Sequence, residues 1–142
     1  MKHRGDRFNG LAQLEDQEDG CTARLLQRLT YLTEDRWLIE VPAGFITDFA
    51  SIPRPLWGII PPRGRYNRGA IVHDFLYRLA PTDPVTGVAC TQARADSVLR
   101  EACENCDNRL TQRWAIYLAL RAGGWVAWNR YRKAEADART TA

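Results

Sequence analysis

Four of the chain's seven prolines, Pro53, Pro55, Pro61 and Pro62, fall within residues 44–66. Proline lacks an amide hydrogen and clashes with the preceding helical turn, so no long regular helix can cross this stretch. An ordered loop with one short helical turn at residues 53–59 is expected there, a favoured kind of place to hold functional side chains. The loop separates two regimes of patterning. Before it, Trp37, Ile39 and Val41 alternate with outward-facing Glu40, and Thr33-Glu34-Asp35-Arg36 reads as a turn. That pattern predicts a β-hairpin over residues 24–41, with its second strand half buried and ended by Pro42 and Gly44.

After the loop the periodicity is helical. Residues 67–79 carry GAIVHDFLYRL with no breaker after Gly69; Pro81, Pro84 and Gly87 then mark a connection. Thr91 is a suitable N-cap for a helix over residues 92 to about 106. A last helix is expected from about 109 to 134, with Leu110, Trp114, Tyr117, Leu118, Trp125 and Trp128 near one face. Gly123-Gly124 in its middle permits a kink or a close backbone approach. Residues 1–20 are polar and aperiodic, which predicts an arm; residues 21–134 form one globular domain and 135–142 a tail. The expected class is α+β: a small hairpin or sheet, the Pro-rich loop, then three helices, the first two an antiparallel pair.

A chain of 142 residues buries enough surface for one ordinary core. Its four cysteines, Cys21, Cys90, Cys103 and Cys106, are too dispersed for a disulfide scaffold. The single Cys103–Cys106 CxxC lies in a helical pattern without a second pair, so buried thiols are expected rather than zinc. No run reaches transmembrane length, and the first twenty residues lack an apolar signal core, which predicts synthesis into the cytoplasm. Net charge is only +3, but residues 109–133 hold five arginines and Lys133 with no acid. Residues 54–68 are likewise basic and acid-free. Such stretches suit phosphate groups or a solvated face; with no DNA- or RNA-reading motif, nucleic-acid binding ranks last.

The chemistry-bearing residues gather between positions 44 and 99. His73, the only histidine outside the first twenty residues, precedes Asp74 and lies four residues before Tyr77. On a helix His73 and Tyr77 share a face, while Asp74 is turned by about 100°. A histidine base needs an acceptor on its second nitrogen. Asp96, among Ala93, Ala95, Val98 and Leu99 on the next helix, is expected opposite His73 and Tyr77. Asp48 in the loop, with Asp74 and Ser51, offers oxygen ligands suited to Ca2+ or Mg2+. The same residues equally describe a buried polar network that fixes helix packing, with Asp48 as a turn cap.

The combination GFITDFASIPRPLW (44–57), GAIVHDFLYR (69–78) and ARADSVL (93–99) resembles a family of small proteins without assigned function, common in phages and prophages. The resemblance covers about residues 25–125. HDFLY is also similar, more distantly, to the HDxCY helix of secreted phospholipases A2, with Leu76 in place of the cysteine. This chain has neither that family's disulfide framework nor its glycine-rich calcium loop. The resemblance implies that His73 activates water, Asp74 binds Ca2+, Asp96 orients the histidine and Tyr77 supports the network.

Two functions are therefore expected. One is a phage- or prophage-type, metal-assisted hydrolase cleaving an ester or amide in a lipid or cell-envelope substrate, with His73, Asp96 and Tyr77 as catalytic residues. Asp74 and Asp48 would hold its cation. The other is a non-catalytic tail or assembly component bound to phage particle proteins, virion-associated or released at lysis.

Overall fold

The computed structural model describes residues 7–10, 12–20, 22–47, 67–104 and 110–140. Among them are five short strands, β1 (Leu14–Asp16), β2 (Ala23–Leu25), β3 (Leu29–Leu32), β4 (Leu38–Val41) and β5 (Ile46–Thr47). Four helices follow: α1 (Asn67–Leu79), α2 (Gln92–Glu104), α3 (Leu110–Gly123) and α4 (Trp125–Thr140). The fold is α+β, with small antiparallel sheets preceding the helices.

β3 and β4 form the predicted hairpin over residues 29–41 only, whereas Arg24 and Leu25, expected in its first strand, pair in another sheet. Leu29 stands opposite Val41 and Tyr31 opposite Ile39. Period-2 alternation sends those four side chains inward and leaves Glu40 exposed. Thr33 closes the turn: its Oγ1 accepts from the Trp37 amide at 2.8 Å, and its carbonyl accepts from Arg36 N at 3.1 Å. Strands β1, β2 and β5 make a second sheet in that order, pairing Leu14 with Leu25 and Ala23 with Thr47.

The described part of the segment expected to be a polar arm is instead docked. β1 belongs to the sheet, and Phe8 is buried with its ring centroid 4.7 Å from that of Tyr31. One large aromatic residue in an otherwise polar stretch suffices as an anchor. Asn9 fixes the register by donating to Arg28 O and accepting from Thr30 N, each at 2.9 Å.

α1 occupies the boundaries predicted for it and lies at the centre. Residues 69–77 are all buried, because α2, α4, β4 and β5 pack around this helix. α2 begins at the expected cap, with Arg94 N donating to Thr91 Oγ1 at 3.2 Å. The carbonyls of Tyr77 and Arg78, at the end of α1, accept from Arg132 Nη2 at 2.6 and 2.8 Å. Those are groups that the helix itself leaves unsatisfied.

The expected last helix is two helices meeting at Gly124. Backbone bonds still bridge the junction, Gly124 N to Leu120 O at 2.7 Å and Trp128 N to Gly124 O at 3.0 Å. The helix pair continues to Thr140, so the expected tail is helical over most of its length. Its apolar residues do not share one buried face. Leu120 is fully buried, whereas Trp114, Leu118 and Trp125 are exposed, because the inward face is the one meeting Tyr77. The short turn expected at 53–59, Asp48, Ser51, Cys21 and Cys106 lie outside the described residues. Cys90 is a free, buried thiol.

Candidate functional site

Three elements of distant sequence meet at the carboxylate of Asp96. From α1, His73 Nε2 lies 2.9 Å from Asp96 Oδ1, and the Tyr77 hydroxyl donates to the same oxygen at 2.6 Å. From α3, Arg121 Nη1 donates to Oδ2 at 3.0 Å. The sequence-predicted trio is thus brought together, as i, i+4 spacing on α1 required. The pairs His73–Asp96 and Tyr77–Gln92 run in opposite chain directions, the signature of an antiparallel helix pair.

The chemistry follows from the donor set. With a carboxylate at Nε2, a neutral His73 carries its proton there, and Nδ1 bears the lone pair. Burial first, then the hydrogen bond and charge of Asp96, push the Tyr77 phenol above its ordinary range, so it remains an O–H donor. The Tyr77 ring is fixed on both sides, 4.1 Å from the His73 ring and edge-on to Trp128 at 5.3 Å. Gly124 seats against the phenol tip. A Cβ there would fall 2.6 Å from the hydroxyl oxygen, so the expected close backbone approach is real and serves this site.

Asp74 points elsewhere, as the 100° offset predicts. Thr47 Oγ1 donates to its Oδ2 at 2.8 Å, and Arg78 Nε stands 3.4 Å from Oδ1. Arg78 itself lies 5.6 Å from the ring centroids of both Phe45 and Tyr131. A guanidinium therefore occupies the neighbourhood in which the phospholipase resemblance puts Ca2+. Among the described residues no group of three His, Cys, Asp or Glu side chains is arranged to hold a metal. The second expected ligand, Asp48, lies outside them.

Two further polar clusters hold the frame. Arg94 donates through Nε to buried Asp83 at 2.9 Å and through Nη2 to Asp35 at 2.8 Å, joining α2, the α1–α2 connection and the hairpin turn. The Arg94 hydrogen bond holds the Asp35 carboxyl below its ordinary range. Glu101 accepts from the Tyr31 hydroxyl at 2.9 Å, Glu34 N at 2.6 Å and Arg7 Nη1 at 3.2 Å. Burial raises the Glu101 carboxyl against those bonds. A polar cavity of about 270 Å³ lies between these clusters, lined by Glu34, Asp35, Arg94, Ser97, Arg100 and Glu101. It shares no lining residue with the His73 group.

Sequence reasoning missed Arg121, Thr47 and Arg78 as neighbours of the site. Arg121 is 25 positions from Asp96 and Thr47 is 27 from Asp74, separations with no local signature. Asp83 did carry one: its Oδ1 accepts from Val85 N at 2.8 Å, an Asx-turn readable in Thr-Asp-Pro-Val.

No curated protein and no solved structure matches the chain. Residues 23–120, well over half of its length, match the family described as protein of unknown function (DUF1353). The helix pair and all three partners of Asp96 but Arg121 fall within that span, and the chain belongs to this family.

Proposed function

We propose that this is a small hydrolase of phage or prophage type, in which His73 acts as general base on an ester or amide in a lipid or cell-envelope substrate. The observation that carries the reading is the convergence of His73, Tyr77 and Arg121 on one buried carboxylate. In such a site the imidazole takes a proton from water as the water oxygen attacks the carbonyl, and Asp96 stabilises the resulting imidazolium across the 2.9 Å contact. Tyr77 and Arg121 hold the carboxylate in place, so the histidine is presented in one tautomer and one orientation. Asp74, engaged by Thr47 and Arg78, does not with the described residues make a divalent-cation site. Chelation tests the Ca2+ or Mg2+ that the phospholipase resemblance implies at Asp74 and Asp48.

A specific observation favours a second reading. His73, Asp74 and Asp96 are each 0% exposed, as a purely structural network in a virion or assembly component would be.

The test is hydrolysis of mixed phospholipid vesicles and of purified peptidoglycan by wild type and His73→Gln, each with Ca2+, Mg2+ or EDTA. Thermal unfolding of both proteins runs in parallel. Product that requires His73 in a folded variant supports the hydrolase, and loss in EDTA adds the cation. No product from folded wild type on either substrate removes the hydrolase on these substrates and favours the structural component.

A further inference from the structure

We infer that the outward face of the α3–α4 junction docks on the surface of an anionic lipid bilayer. A helix face turned to water is ordinarily polar. Here Leu118, Ala122, Trp125 and Val126, spaced i, i+4, i+7 and i+8, point outward together across the Gly124 junction. Leu118, Trp125 and Val126 are 60%, 54% and 48% exposed, and Ala122 is exposed with them. Trp114, 44% exposed, extends the strip one turn earlier. The bonds from Leu120 through Gly124 to Trp128 keep the two helices continuous enough for one face to form.

Charge selects the occupant. Exposed Arg130 and Lys133 follow the apolar strip, in a stretch, residues 109–133, whose sequence holds no acid. A second copy joined through this face would set basic residues against basic residues, an arrangement that symmetric pairing penalises. An anionic bilayer instead offers hydrocarbon to the tryptophans and leucine, and phosphate to the cations, in one plane. No helix among the described residues is long and apolar enough to cross a membrane, so the contact is at the surface. Arg121 sits at the edge of this strip with 38% of its side chain exposed and reaches Asp96. A docked bilayer would thus lie against the outer end of the Asp96 network. The inference concerns binding and stands whether or not His73 turns over a substrate.

The experiment is co-sedimentation of the full chain with phosphatidylglycerol-containing vesicles and with pure phosphatidylcholine vesicles, at low and high salt. The anionic vesicles should retain the protein at low salt and lose most of it at high salt. Leu118→Ser/Trp125→Ser, at two exposed positions, should weaken that binding about tenfold or more while leaving thermal unfolding little changed. Lipids brominated in the acyl chain should quench wild-type fluorescence, and Trp125→Phe should remove much of the quenching, a readout that needs no destabilising change. Failure to bind anionic vesicles at low salt overturns the inference. So does binding that ignores both substitutions, or a dimer in solution that the double substitution dissociates.

Discussion

Gly124→Ala tests the packing on which the site depends. A Cβ at this position would lie 2.6 Å from the Leu120 carbonyl oxygen, 2.6 Å from the Tyr77 hydroxyl oxygen and 3.2 Å from Gln92 Nε2. The first two contacts are well inside van der Waals distance, and neither neighbour is a flexible end. The carbonyl belongs to the backbone, and the phenol is held by Asp96, His73 and Trp128. Overpacking of this kind costs about 1–3 kcal/mol. Alanine returns about 0.4–1 kcal/mol by restricting the unfolded chain. The net loss is about 1–2 kcal/mol, a fall in Tm of roughly 3–8 °C for a chain of this size. Urea unfolding followed by tryptophan fluorescence measures it, in a cycle with Tyr77→Phe, which removes one of the two clashing atoms. The double variant should be more stable than the sum of the single losses predicts, by about 0.5–1.5 kcal/mol. The remainder persists because the Leu120 carbonyl stays where it was. Gly124→Ala as stable as wild type, or losses additive within about 0.3 kcal/mol, would refute the close approach.

Three other outcomes follow from the same geometry. Asp96→Ala leaves three converging donors without their acceptor and should cost about 3–5 kcal/mol in urea unfolding; a loss under about 1 kcal/mol would mean that the network is not formed. Asp35, held below its ordinary range chiefly by Arg94, has a folded pKa beneath the unfolded one, so its stabilising contribution is present above the ordinary aspartate range and lost as pH falls. The stability gap between wild type and Asp35→Asn should accordingly close from about pH 4 downward, as read by Tm at each pH. Burial pushes the Cys90 thiol up to about 12. Peptide mass spectrometry after maleimide treatment at pH 8 should find Cys90 unmodified until denaturant is added; rapid native labelling would contradict its burial.

How much of this was legible in sequence depended on distance along the chain. The α1 boundaries, the Thr91 cap and the hairpin turn rest on signals within four or five residues, and the structure places each where those signals put it. The facing of Asp96 on His73 and Tyr77 was legible for a related reason. The connection over residues 80–91 is long enough for α2 to return antiparallel beside α1, and a carboxylate among Ala95, Val98 and Leu99 needs an inward partner. Arg121 was not legible, because its approach is set by the path of α3, which nothing near Asp96 encodes. The docking of Phe8 was hidden by the polar residues around it. The last helix misled through its own regularity: aromatic and leucine spacing suggested one buried stripe, but Gly124 decides which side meets Tyr77, and Trp125 then faces outward.

The two functional readings make different claims about why this network is ionic at all. Replacing a buried ionic group by well-packed apolar side chains is often neutral or stabilising, so stability alone gives little reason to keep a histidine and an aspartate at the centre of a fold. A packing network could be supplied by neutral amides or hydroxyls. The arrangement around Asp96 is more demanding: one oxygen receives both the imidazole and the phenol, and the other receives a guanidinium that reaches in from a partly exposed position. That division orients the ring through one oxygen while a cation holds the other, and it is what presenting a basic nitrogen requires. Complete burial of His73 is the opposing fact, and among the described partners of Asp96 it is Arg121 that is partly exposed. An external phosphate that competed for this guanidinium would loosen the outer side of Asp96 and leave His73 and Tyr77 on the inner oxygen. The apolar, basic face borders Arg121, so a bilayer docked there would bring lipid phosphate to the outer side of Asp96.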